Sequence, residues 1–248
     1  MVREYEGRVA VITGAGSGLG RALAKELAAR NCNLALVDID SSVSSEQSLE
    51  CVGTEVKKVH GAVHLLINNA GVSASASFLN TEAAEFERIV RINFFGAVYG
   101  CRLFLPLLQE HSQGQILNVS SCFAWLGYPR KTAYASSKGA LRAFSESLRW
   151  EIGESGVGVT VLYPGPLHTS LVRSRISDSA EQRDREERFL THRGLPIERT
   201  ARISLDRLVT NPARIVIGAD YHSLDVLSRL SPGLAARVMW FASQRAGF

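Results

Sequence analysis

Tyr134 and Lys138 stand four residues apart in the run Tyr134-Ala135-Ser136-Ser137-Lys138, within a segment that the residue pattern predicts as helical to about position 154. That spacing puts a phenol and an ammonium on one helical face, one turn apart. A nearby positive charge favours the phenolate, so it draws down a phenol pKa that ordinarily lies near ~10. Such a tyrosine can exchange a proton near neutral pH. Upstream, Ile116-Leu117-Asn118-Val119 reads as an apolar strand ending in the hydroxyls of Ser120 and Ser121, which sets Ser121 across a cleft from Tyr134. Many helices carry a Tyr-x-x-x-Lys pair as a solvated face, so the pair takes its meaning from its company.

That company begins with the elements around it. Residues 8–13 form a short β-branched run that meets Gly14-Ala15-Gly16-Ser17-Gly18-Leu19-Gly20, and a helix follows over 21–30. Strand, glycine turn and helix N-terminus together cradle a phosphate, because free backbone N–H groups and the helix dipole face the anion. The spacing meets T-G-x-x-x-G-x-G in full, whereas G-x-G-x-x-G fails because Leu19 stands where a glycine is needed. A second strand, 33–37, ends in Asp38, which lies 24 residues past Gly14. An acid there accepts hydrogen bonds from ribose hydroxyls and repels a 2′-phosphate, and neither Ser17 nor Ile39 offers a cation, so NAD is expected rather than NADP.

Further along, 65–68 reads as a buried strand that turns at Asn69-Ala70-Gly71, where small residues allow close approach to a ligand. Thr81 reads as the cap of a helix running through Asn93 to about position 109. Asn93 is either a satisfied core amide or a functional one. Residues 158–163 form another strand, closed by Pro164-Gly165-Pro166, and 214–218 the last. Strands alternating with helices imply a doubly wound, mainly parallel sheet with ligands beyond the strands' C-terminal ends. The Arg-rich stretch 167–201 reads as a lid or a solvated helix pair. The amphipathic tail 224–241 would cover the core, pair with another subunit or touch a membrane, in that order.

The chain has 248 residues and a net charge of +4 from mixed charges, which suits one α/β domain and gives little support for nucleic-acid binding. No apolar run approaches a membrane span. The four cysteines are scattered and no histidine stands at ligand spacing, so reduced thiols in a cytoplasmic protein are expected, and no metal.

Taken together, Thr13 to Gly20, Asn68-Asn69-Ala70-Gly71, Asn93, Ser121, Tyr134-Ala-Ser-Ser-Lys138 and Pro164-Gly-Pro-Leu-His-Thr169 resemble the short-chain dehydrogenase/reductase family over nearly the whole chain. The thirteen positions from Ser121 to Tyr134 fit it as well. The resemblance implies an oxidoreductase acting between a secondary alcohol and a ketone. Tyr134 would be the general acid or base, Lys138 its pKa partner and ribose ligand, Ser121 the substrate oxygen's donor, and Asn93 the holder of a relay water. Gly14, Ser17, Gly18, Leu19, Gly20, Asp38, Asn69, Ala70, Gly71, Pro164, Gly165 and Thr169 would bind the cofactor. A homodimer or homotetramer would form through the Asn93 and Tyr134 helices.

One departure stands out. Only 29 residues, 39–67, separate Asp38 from Asn68, where the family fits helix, strand and helix. A helix over 52–60 and the strand before Asn68 leave about a dozen residues, too few for another helix of ~10 and strand of ~5. The expectation is a sheet that ends at strand 33–37, with a shortened adenine site and weakened NAD binding. An idle cofactor sensor or scaffold is then the alternative to an enzyme.

Overall fold

The computed structural model describes residues 5–38, 46–110, 113–167, 176–177 and 179–245. In chain order, β1 is Val9–Thr13, α1 Gly18–Ala29, β2 Asn33–Val37, α2 Glu46–His60, β3 Leu65–Asn68 and β4 Ala74–Ser75. Then come α3 Ala83–Val90, a π turn Arg91–Phe95, α4 Gly96–Gln109, β5 Gln115–Val119 and α5 Thr132–Glu151. The chain closes with β6 Gly158–Pro164, β7 Ile176–Ser177, α6 Ala180–Arg193, α7 Ile197–Leu208, β8 Arg214–Ile217, α8 Ala219–Leu230 and α9 Pro232–Arg245.

Among the described residues the main sheet runs β2-β1-β3-β5-β6-β8, with every neighbouring pair parallel. Alternate side chains feed its two faces. Ala10, Ile12, Leu65, Ile67, Leu117 and Leu162 pack under α1 and α7 with Leu23, Leu27, Leu205 and Leu208. Val11, Leu66, Ile116 and Val159 pack on the opposite side with Phe104, Leu108 and Leu148. Between β1 and β3 the strand order reverses, which opens a crevice at their C-terminal ends.

The expected sheet edge is found. Among the described residues β2 pairs with β1 and ends the sheet there, with Leu36 exposed. Among the described residues the crossover from β2 to β3 holds one helix, which starts at Glu46 rather than near position 52. The helix packs through its second half: Val56 is buried, and a Cβ on Gly53 would lie 2.9 Å from the side chain of Leu103 in α4.

Three other expectations are corrected. Thr81 caps no helix; its hydroxyl donates to the Ser77 carbonyl at 2.9 Å and α3 begins beyond it, with Glu82 at the N-cap. The helix through Asn93 is interrupted by the π turn. The described part of the 167–201 stretch holds α6, whose described side chains are exposed apart from Leu190, and the start of α7, where Thr200 and Ala201 are buried against the body of the protein. The tail's large apolar side chains do not close over the core, since Leu234, Val238, Trp240 and Phe241 are exposed.

Candidate active site

The loops after β1, β3, β5 and β6 meet at one edge of the sheet. Gly14 leaves β1 with φ +67 and Gly18 opens α1 with φ +50, values that L side chains rarely adopt. A Cβ on Gly14 would lie 2.8 Å from the Ala70 Cα, so the two loops at the switch point touch backbone to backbone. A Cβ on Gly20 would run into the Gly14 carbonyl and the Asn69 amide.

Thr13 and Asn69 hold that junction. The Thr13 hydroxyl oxygen accepts the backbone N–H groups of Asn69 and Ala70, both at 3.1 Å. The Asn69 amide donates to the carbonyls of Thr13 and Gly14 at 3.2 and 3.1 Å. Asn69 therefore braces the glycine turn rather than offering its amide outward. Ala15 N–H donates to the Val37 carbonyl, which brings the end of β2 over the turn, and the Asp38 carboxylate occupies the space a Cβ on Gly16 would need.

These residues fit a dinucleotide. Ser17 stands at the N-cap of α1 without a side-chain capping bond, and the first turn carries no acid. An uncapped helix start without negative charge suits a phosphate, and Asp38 above Gly16 suits a ribose.

Across the crevice, Asn93 is buried in the π turn, the kind of local irregularity common at functional sites. It exchanges two hydrogen bonds with the Val72 backbone and donates to Ser137 Oγ at 2.9 Å. Gly71 closes the gap beside it: a Cβ there would lie 3.2 Å from Asn93 Oδ1 and 3.4 Å from Lys138 Nζ. Lys138 Nζ donates to the Val119 carbonyl at 2.8 Å and lies 5.9 Å from the Tyr134 ring centre. Burial lowers its pKa from 10.5 to about 8. Tyr134 is half-buried and meets Phe123 edge to face at 6.3 Å. Ser121 is buried at the start of the turn Cys122–Ala124, where its hydroxyl oxygen accepts the Phe123 N–H at 3.3 Å.

The structure thus brings Asn93, Ser121, Tyr134 and Lys138 to the same edge as the glycine turn. Pro164 ends β6 there, and Gly165 N–H donates to the Ile217 carbonyl at 2.9 Å. Thr169 lies outside the described residues. Several supporting residues carried no assigned role in the sequence. Ser120 donates to the Lys138 carbonyl at 3.0 Å, and buried Lys131 donates to the Ala74 carbonyl at 3.2 Å. Ser137 is the one with a readable signal, since it sits inside the Tyr-Ala-Ser-Ser-Lys run.

A glycine turn at the switch point of a parallel sheet is how Rossmann-like α/β domains take up dinucleotides, and that is the class of this fold. Comparison with known proteins narrows it. The family profile described as short chain dehydrogenase matches residues 39–180, and the chain belongs to the short-chain dehydrogenase/reductase family. The putative oxidoreductase SadH of Mycobacterium tuberculosis is 33% identical over 252 residues, covering 91% of this chain and 91% of SadH. The Mus musculus dehydrogenase/reductase SDR family member 7B is 30% identical over 258 residues, covering 93% and 80%. A short chain dehydrogenase/reductase from Burkholderia phymatum, solved in complex with NAD, superposes with a TM-score of 0.85 at 26% identity, covering 94% of this chain and 96% of that one.

Proposed function

We propose that this oxidoreductase interconverts a secondary alcohol and a ketone with NAD. When bound, the nicotinamide supplies or accepts the hydride. The glycine turn and the start of α1 would hold the pyrophosphate, Asp38 the adenosine ribose, and the backbone of Ala70, Gly71, Pro164 and Gly165 the rest. Tyr134 gives its phenolic proton to the substrate oxygen in reduction and takes it back in oxidation. The Lys138 charge favours the phenolate, and the Ser121 hydroxyl stabilises charge on the substrate oxygen. Asn93 holds the loop at Val72 and, through Ser137, the turn of α5 that carries Tyr134 and Lys138.

The observation that carries this reading is the Tyr134 and Lys138 pair one turn apart, with the ammonium anchored on the strand end that leads into Ser121. A cytoplasmic homodimer or homotetramer accompanies it. The sheet edge at β2 favours a second reading, because a family member with another strand there has a fuller wall for the adenine. Under that reading the protein binds cofactor weakly and senses or scaffolds. Titration with NADH and NADPH by nicotinamide fluorescence, followed by an alcohol screen, separates the two. Tight NADH binding with turnover supports the enzyme. NADH binding without turnover over a broad panel supports the sensor, and no binding of either cofactor at millimolar concentration sinks the NAD assignment.

A further inference from the structure

The C-terminal helix α9 turns small residues inward and large apolar ones outward. Ala235 and Ser243 are fully buried, with Met239 between them on the inner stripe, while Leu234, Val238, Trp240 and Phe241 are 51%, 44%, 55% and 65% exposed. Leu230, at the end of α8, is 80% exposed beside them in sequence. Arg237 and Arg245 share the outer side of α9, and the helix contains no Asp or Glu. The acids of α8 are Asp220 in its first turn and Asp225, whose buried carboxylate lies 3.1 Å from both Arg214 and Arg229. The outer face of α9 is therefore apolar and cationic.

We propose that α9 lies on an anionic lipid surface, with its apolar side chains at the headgroup boundary and Arg237 and Arg245 on lipid phosphates. Leucine, valine, tryptophan and phenylalanine on one face with arginines among them is the composition of an interfacial helix. At 14 residues α9 is too short to span a bilayer, so it lies along the surface. A second copy is a poorer occupant. A two-fold axis through this face would gather Arg237 and Arg245 from both chains, with no α9 carboxylate to pair them. Tyr221 of α8 packs where a Cβ on Gly165 would stand, 2.8 Å from its ring, so the anchoring helices adjoin the cleft.

The test is co-sedimentation of the full chain with vesicles of phosphatidylcholine alone and of phosphatidylcholine mixed with phosphatidylglycerol. Binding to the anionic vesicles is expected, with partition falling about fivefold for each of Arg237→Gln and Arg245→Gln. Trp240→Ser with Phe241→Ser should abolish binding while circular dichroism and NADH affinity stay unchanged. Failure to bind anionic vesicles overturns the proposal, as does binding that survives the double serine variant. Light scattering that shows a dimer lost in that variant, without vesicle binding, assigns the face to a second copy.

Discussion

Asn93 and Val72 are joined by a reciprocal pair of hydrogen bonds: the Val72 N–H donates to Asn93 Oδ1 at 2.8 Å and the Asn93 amide donates to the Val72 carbonyl at 2.9 Å. A side chain from a helix turn thus does the work of a strand neighbour for the loop that follows Gly71. Asn93→Ala strands the backbone donor and acceptor of half-buried Val72, and each costs about 1 to 3 kcal/mol when unpaired. The expected loss of stability is about 2 to 4 kcal/mol, read as a fall in the urea midpoint. An unchanged midpoint would refute the bracing role.

Tyr134→Phe removes the exchangeable proton and keeps the ring contact with Phe123. Turnover should fall by a factor on the order of 10² to 10⁴, with NADH affinity retained. Steady-state rates beside a fluorescence titration separate the two effects. Equal loss of binding and rate would make Tyr134 a structural residue.

The burial of Lys138 has a sign that can be worked out. Its folded pKa of about 8 lies below the ordinary 10.5, so between those values the unfolded chain holds more protons and stability rises with pH. Below the folded value the charged ammonium bears its full burial cost, on the order of 3 kcal/mol. Lys138→Met has no such titration. The parent should therefore gain on the variant by roughly that amount as pH rises from about 8 to 10.5. Urea midpoints of both proteins across that range measure it, and parallel curves would contradict it.

Neighbouring glycines should fail differently. Gly14→Ala forces a side chain into φ +67 and against the Ala70 backbone, so it should cost about 1 to 3 kcal/mol of stability. Gly16→Ala meets the exposed Asp38 carboxylate, which can swing away. It should leave the urea midpoint almost unchanged and weaken NADH by about tenfold, one lost charge-assisted hydrogen bond. An NADH titration of both variants distinguishes a ribose ligand from a loop spacer.

Much of the fold was legible because strands and glycine turns write themselves locally. Asn33–Val37, Leu65–Asn68 and the glycine turn stand where the apolar runs and small residues put them. The end of the described sheet at β2 was legible by length alone, since 29 residues leave room for one crossover helix and little more. The π turn was not, and the partner its Asn93 finds, Val72, lies 21 residues away in sequence. Thr81 misled for a similar reason: its hydroxyl found the Ser77 carbonyl instead of a helix N–H. The tail's amphipathic pattern showed that one face is apolar without showing which face the body of the protein would cover.

By itself the sequence determined which side chains are candidates for chemistry and in what order they come, because Tyr134, Lys138, Asp38 and the glycine turn are defined by residue type and short spacing. The tertiary structure alone decided what holds them. Asn69 spends its amide on Thr13 and Gly14, Lys138 on Val119, and Asn93 on Val72 and Ser137. Buried polar groups must be paired, and the partners that satisfy them come from strands and loops that only packing brings within reach.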